Sequence, residues 1–181
     1  MNNIDEKFAL LQHMSRVSEL AYKMAKHMGL SERDSKEVAI AGHLHDVGKF
    51  FVHPDILNKT NKLTREELAY VQEHVDFSFL VGHMMGNRLT PDILRMIWEH
   101  HENADGTGYP KGKRIDEVLP GSHIVKICDS YDAMRSDRPY RKALTAHQAI
   151  EEILNHKEQY DDRCIRALIE MEGIYTLDKA I

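Results

Sequence analysis

The chain of 181 residues is long enough to bury a sizeable core, and its 42% hydrophobic and 29% charged residues are ordinary for a globular protein. Its net charge of -5 argues against general binding to nucleic-acid polymers, and no apolar run approaches the ~18 residues of a membrane span. The first residues lack the basic and apolar blocks of a signal peptide, so a cytoplasmic protein is expected.

The first half of the sequence is dominated by apolar residues at helical spacing. The pattern predicts a first helix over residues 4–28, which Gly29 ends, and a second over 32–46, which opens with a capping-box sequence. Prolines and asparagines predict a loop over 50–63. A further capping box then predicts one long helix over 64–85.

The second half continues the helical pattern. Thr90-Pro91 places an N-cap before a proline, which predicts a helix over 91–101, and three glycines predict a loop over 103–112. Three more helices are predicted, over 121–134, 146–157 and 161–172. Because no stretch alternates like a strand, the sequence predicts an all-α fold of about seven helices in a single domain.

The twelve histidines invite a search for a metal site, because histidine is the commonest metal ligand. Five histidines and two aspartates lie on five different predicted helices or helix ends: His13, His45, Asp46, His74, His100, His101 and Asp129. Taken singly, each histidine would be structural or a helix cap. Taken together, they suit catalytic iron, manganese, nickel or zinc, and their number suits two metals bridged by a carboxylate.

The order of these residues resembles the HD superfamily of metal-dependent phosphohydrolases, with His45-Asp46 as the central dipeptide. Four further motifs resemble the HD-GYP subgroup: His100-His101-Glu102, Asp105-Gly106-Thr107-Gly108-Tyr109-Pro110, Asp129-Ser130-Tyr131-Asp132-Ala133-Met134 and Arg138-Pro139-Tyr140-Arg141. The match covers about residues 10–160. It implies one domain over 1–181, an HD-type helical bundle with a buried metal centre and a C-terminal helix to about residue 173.

HD-GYP domains degrade cyclic di-GMP, so the resemblance implies a metal-dependent phosphodiesterase. Carried over by position, the first metal would be held by His13, His45, Asp46 and Asp129. The second would be held by Asp46, His74, His100 and His101, with Asp46 as the bridge. A hydroxide generated between the metals would attack phosphorus, giving the linear dinucleotide first and GMP if a second cut follows.

The same resemblance assigns the substrate contacts. Lys49 would meet the scissile phosphate and serve catalysis beside Asp46. The nucleotide pocket would be lined by Tyr109, Asp132, Arg138 and Arg141. The implied ligand is thus a small cyclic dinucleotide, with neither a membrane nor a nucleic-acid polymer as partner. Protein signalling partners are compatible with the same family.

Departures from the family pattern limit these expectations. Ala9 stands where some members carry a glutamate for a third metal, so two divalent ions are expected, iron or manganese first and nickel or zinc as alternatives. Asn103-Ala104 and His123 replace residues common in the family, which leaves the substrate open. Another cyclic dinucleotide such as cyclic GMP-AMP, or a nucleotide monophosphate, is the second interpretation. A non-catalytic module that senses the dinucleotide or docks a partner protein is the third.

Overall fold

The structure is a computed structural model that describes residues 3–57, 59–137 and 142–174. Its α-helices are α1 (Asn3–His27), α2 (Glu32–Leu44), α3 (Pro54–Leu57), α4 (Arg65–Gln72), α5 (His74–Met84), α6 (Pro91–Glu99), α7 (Pro120–Arg135), α8 (Ala146–Asn155) and α9 (Asp162–Glu172). Short 3-10 turns cover Val47–Phe51, Gly86–Arg88, Ile115–Glu117 and Lys157–Gln159. Within the described ranges no strand forms, so the predicted all-α class is confirmed.

The helices begin where the local sequence predicts. The Ser31 hydroxyl accepts the backbone N–H of Asp34, which starts α2. Thr64 accepts the backbone N–H of Glu67, whose carboxylate accepts the backbone N–H of Thr64 in return, which starts α4. The Thr90 hydroxyl plays the same role for α6. These side chains satisfy the N–H groups that a helix start leaves without a partner.

Two elements differ from the prediction. The expected helix over 64–85 is two helices, α4 and α5, separated at Glu73, and the expected loop over 50–63 contains the one-turn helix α3. The 3-10 turn after α2 packs closely on α5. The backbone N–H of Gly48 donates to the Ser78 hydroxyl at 2.8 Å, and a Cβ at position 48 would collide with the carbonyl oxygen of His74. The separation at Glu73 and this tight contact place His74 at the first position of α5, facing the interior.

Helix α7 lies at the centre of the bundle. Every residue from Gly121 to Cys128 is buried, which is the pattern of a helix covered on all sides. Helix α1 packs against it through Val17, Ala21 and Met24, all with 0% exposure. Because α7 is covered on all sides up to Cys128, it offers a rigid support for Asp129 at the next position. Among the described helices, none combines the length and the apolar character that crossing a membrane requires.

Substituting Gly48 tests the close contact between the turn and α5. We expect Gly48→Ala to lower the free energy of unfolding by about 1–3 kcal/mol, because the added methyl group must displace the backbone of His74 or Ser78. Urea denaturation of metal-free protein measures this change. The control is Ser15→Ala on the exposed face of α1, expected within about 0.5 kcal/mol of the unsubstituted protein. Equal stability of the two variants would contradict the contact.

Candidate metal centre

The structure brings all seven of the sequence-predicted ligand residues together. They form two groups that share Asp46: Asp46, His74, His100 and His101, and His13, His45, Asp46 and Asp129. Within each group the candidate ligand atoms all lie within 4.8 Å of one another. These are the two groupings that the sequence resemblance implied, now found as neighbours in space.

Helix ends supply most of this cluster. His45 and Asp46 follow the last residue of α2, His74 opens α5, and His100 and His101 follow α6. The two members that come from within helices are His13 of α1 and Asp129 of α7. Four of the side chains at helix ends, those of His45, Asp46, His74 and His100, are almost fully buried. A bundle builds an interior metal site in this way, from side chains that project inward from different helices.

Three of the histidines are oriented by backbone carbonyls at the end of the helix that precedes them. In each case Nδ1 donates to the carbonyl oxygen three residues earlier: His45 to Gly42 (2.7 Å), His74 to Val71 (2.7 Å) and His100 to Ile97 (2.6 Å). The last carbonyls of a helix lack intrahelical partners and are free to accept these bonds. Because a carbonyl only accepts, Nδ1 carries a proton and the other nitrogen, Nε2, is turned toward the cluster. Metal-binding histidines are typically held in this way.

The inward-facing atoms fit a bound cation. Seven buried side-chain nitrogen or oxygen atoms of the described residues have no hydrogen-bond partner, and five of them belong to this cluster. The five are His45 Nε2, Asp46 Oδ1, His74 Nε2, His100 Nε2 and His101 Nε2. A buried polar atom without a partner destabilises the fold by about 1–3 kcal/mol, so such a concentration points to a ligand. Imidazole and carboxylate without thiolate are suitable donors for a divalent transition metal.

The electrostatics of the cluster favour positive charge. Burial by itself raises the pKa of Asp46, but Lys49 and His45 outweigh it and hold that pKa well below its usual range. The pKa of Asp129 is likewise lowered, because the neighbouring imidazoles of His13 and His45 outweigh its burial. Burial lowers the pKa of His45, yet Asp46 and Asp129 raise it to about 10. Both carboxylates, one buried and one partly buried, thus stay ionised and attract a cation.

In contrast to His45, the two histidines that follow α6 have lowered pKa values. Burial holds the pKa of His100 and of His101 well below the ordinary histidine value, so both rings are neutral at physiological pH. A neutral imidazole is the form that coordinates a metal. These two rings therefore need no deprotonation before they can bind a cation.

Two predicted substrate contacts lie beside the cluster. The Lys49 ammonium is 2.5 Å from Asp46 Oδ2, and its side chain is 22% exposed, so it stands between the buried ligands and solvent. The Tyr109 ring stacks on His101, with 4.6 Å between ring centroids and 23° between planes. Burial raises the pKa of Tyr109 well above its usual value, so the phenol stays protonated and can donate a hydrogen bond.

The loop that carries Tyr109 folds back tightly on His101. The backbone N–H of Tyr109 donates to the His101 carbonyl at 3.2 Å. A Cβ at position 108 would collide with that carbonyl and with the backbone nitrogen of Asn103, so only glycine fits there. The glycine before Tyr109 is therefore required for the ring to reach the cluster.

Two buried glutamates that sequence reasoning gave no role hold this region in place. Glu102 accepts the backbone N–H of Lys111 at 2.7 Å and of Lys113 at 2.8 Å, one on each carboxylate oxygen. Glu99 accepts hydrogen bonds from four groups: Arg95 Nε, Lys113 Nζ, Leu119 N and Ser122 Oγ. In the sequence, Glu102 stands out only as the last residue of the His100-His101-Glu102 motif, and no motif or spacing singles out Glu99. Their role depends on partners that folding brings near.

The remaining predicted contacts are placed differently. Asp132 was predicted to line the nucleotide pocket, but its two oxygens are engaged by His13 and Arg16 of α1. The structure therefore shows it supporting a candidate metal ligand, and its predicted contact with the nucleotide stays a prediction. Arg138 and Arg141 lie outside the described residues, so their predicted roles also stay predictions.

Comparison with known proteins establishes the family. The model for the HD domain matches residues 3–164, so the chain belongs to the HD domain family, as its motifs predict. It is 34% identical over 165 residues to "Cyclic di-GMP phosphodiesterase PA4108" of Pseudomonas aeruginosa, an alignment that covers 90% of this chain and 39% of that protein. It is also 34% identical over 159 residues to "3'3'-cGAMP-specific phosphodiesterase 3" of Vibrio cholerae, covering 86% and 34%.

A solved structure shares the fold. Bd1817, an HDG"Y"P protein from Bdellovibrio bacteriovorus, has a TM-score of 0.73 and 19% sequence identity, covering 90% of this chain and 52% of that one. The chain spans 39% and 34% of the two curated relatives named above. HD domain phosphohydrolases use divalent metals, and the two groups of histidine and aspartate described here could hold such ions.

Replacing Glu102 tests its hold on the Tyr109 loop. We expect Glu102→Ala to lower the free energy of unfolding by about 1–3 kcal/mol, because the backbone N–H groups of Lys111 and Lys113 lose a buried acceptor. The control is Glu158→Ala, an exposed glutamate that should change stability by less than about 0.5 kcal/mol. Thermal and urea denaturation measure both. An unaffected Glu102→Ala protein would refute this role.

Proposed function

We propose that the protein is a metal-dependent phosphodiesterase that hydrolyses a cyclic dinucleotide, with cyclic di-GMP as the first candidate substrate. The observation that carries this proposal is the pair of ligand groups sharing Asp46, with their inward-facing atoms lacking hydrogen-bond partners. A relative with 34% identity that is named a cyclic di-GMP phosphodiesterase supports the choice of substrate.

The proposed cofactors are two divalent transition metals, iron or manganese first, with nickel and zinc as alternatives. His13, His45, Asp46 and Asp129 would hold one, and Asp46, His74, His100 and His101 the other. Ala9 lies one helical turn before His13 on α1 and offers no carboxylate, so a third ion is not expected. When bound, such ions supply Lewis acidity and lower the pKa of the attacking water.

The residues around the cluster have definite tasks in this proposal. Asp46 reaches both ligand groups and fixes their spacing. The Lys49 ammonium lies at the exposed edge and offsets charge that develops on the non-bridging phosphate oxygens. The protonated Tyr109 phenol donates a hydrogen bond to the nucleotide, and its ring is held in place by stacking on His101. Arg138 and Arg141 remain proposed nucleotide contacts on the strength of the sequence resemblance.

A second candidate substrate is cyclic GMP-AMP. The relative named a 3'3'-cGAMP-specific phosphodiesterase is as similar to this chain as the one named for cyclic di-GMP, at 34% identity. Both substrates present the same phosphodiester groups, so the metal centre alone does not select between them. Selection between them would fall to residues that touch the base. Asn103-Ala104 is the candidate for this role, because it replaces residues common in the family.

Metal content tests the cofactor assignment. Anaerobically purified protein should contain about two divalent metal ions per chain, and His74→Ala should lose about one, because one ligand group loses an imidazole. The control is His83→Ala, an exposed histidine of the same helix, which should keep both. Elemental analysis by mass spectrometry gives the number. Full metal content in His74→Ala would remove His74 from the site.

Product analysis tests the activity. We expect conversion of cyclic di-GMP to the linear dinucleotide, abolished in Asp46→Ala together with metal binding. Lys49→Met should keep its metal but lose about 100- to 1000-fold in kcat, the usual effect of removing one charge-stabilising donor. Chromatography of reactions with cyclic di-GMP, cyclic GMP-AMP and nucleotide monophosphates ranks the substrates. Tight binding of cyclic di-GMP by metal-loaded protein without turnover would instead establish a non-catalytic sensing module.

A further inference from the structure

His13 differs from the other oriented histidines because it lies in the middle of a helix. It is ten residues from the start of α1 and fourteen from its end, where backbone carbonyls already bond to N–H groups of the next turn. No free helix-end carbonyl is available to its Nδ1, in contrast to His45, His74 and His100. A different acceptor must therefore orient its ring.

The carboxylate of Asp132 is that acceptor. His13 Nδ1 donates to Asp132 Oδ2 at 2.7 Å, while His13 Nε2 lies 3.0 Å from Asp129 Oδ1. Both aspartates are on α7 and lie three residues apart, so they occupy one face of that helix. One aspartate thus stands on the metal-facing side of the ring and the other on its far side.

Arg16 in turn fixes the carboxylate. It lies three residues after His13 on α1, and its guanidinium forms two hydrogen bonds with Asp132, Nε to Oδ1 at 2.7 Å and Nη2 to Oδ2 at 2.9 Å. Nη2 also donates to Ser136 Oγ at 3.0 Å. A bidentate arginine–carboxylate pair is geometrically strict, so it leaves Asp132 little freedom to rotate.

We infer that Arg16 and Asp132 form a brace that orients His13 and sets the affinity of one metal position without setting the other. The inference rests on the proposed two-metal function. The affected position is the group of His13, His45, Asp46 and Asp129. In the other group, the rings of His74 and His100 are oriented by backbone carbonyls, which no change at position 16 or 132 removes. Arg16 and Asp132 are positioning residues, since they act through His13.

The brace is also reachable from solvent. The Arg16 side chain is 47% exposed and lines an open cleft of about 250 Å³ together with Leu20, Tyr131 and Arg135. A small guanidinium ion can therefore enter the position of a truncated Arg16 side chain. This opening allows a rescue experiment that separates orientation of His13 from general stability.

The first test is a calorimetric titration of metal-free protein with Mn²⁺. The unsubstituted protein should show two binding steps, and Asp132→Ala should weaken one of them by about 10- to 100-fold while leaving the other within about 3-fold. Asp132→Asn keeps the shape of the side chain but loses its charge, so it should weaken the same binding step by less than Asp132→Ala does. The control is Glu19→Gln, an exposed carboxylate of α1 paired with Lys23, which should leave both steps unchanged.

The second test uses Arg16→Ala. The same binding step should weaken, and millimolar guanidinium chloride should restore it, whereas the same concentration of sodium chloride should not. Restoration would show that the variant is folded and lacks only the brace. Two unchanged steps in Asp132→Ala, or equal weakening of both, would overturn the brace alone. A stoichiometry of one Mn²⁺ per chain in the unsubstituted protein would overturn the two-metal proposal on which it rests.

Discussion

The hydrogen bond from a histidine Nδ1 to a carbonyl at the end of the preceding helix is the interaction on which this centre depends. This bond forms at His45, His74 and His100. In each case it keeps the proton on Nδ1 and turns Nε2 toward the cluster. The last carbonyls of a helix have no intrahelical partner. A fold that brings several helix ends to one point can therefore orient imidazoles through hydrogen bonds to the backbone alone. The position of each helix end therefore matters as much as the identity of the ligand.

The candidate ligands include both charged and neutral side chains. Asp46 and Asp129 stay ionised although burial opposes it, because neighbouring cations outweigh the loss of solvation. His100 and His101 stay neutral because burial prevails there. One side of the cluster thus supplies anionic donors and the other supplies neutral ones. An exposed edge at Lys49 and a phenol at Tyr109 then complete a site suited to a phosphodiester, which is the chemistry proposed for the protein.

The support behind the ligands differs between the two groups. Backbone carbonyls stand behind most of the histidines, whereas a side-chain pair, Asp132 with Arg16, stands behind His13. The buried carboxylates of Glu99 and Glu102 provide a third kind of support, since they hold the segment after Tyr109 through its N–H groups and lysines. Removing a side chain can weaken the last two kinds of support, but it leaves the backbone carbonyls unchanged.

The sequence by itself determined the helical class, the helix starts at Ser31, Thr64 and Thr90, and, through its family resemblance, the set of candidate ligands. Those features are local, because a cap acts over three residues and a motif is identified from the order of neighbouring residues in the chain. Only the tertiary structure decided the separation of α4 from α5 at Glu73, and the pairing of Asp132 with His13 across 119 residues of chain. Such contacts depend on how helices pack and on where their ends meet, which helical spacing does not encode.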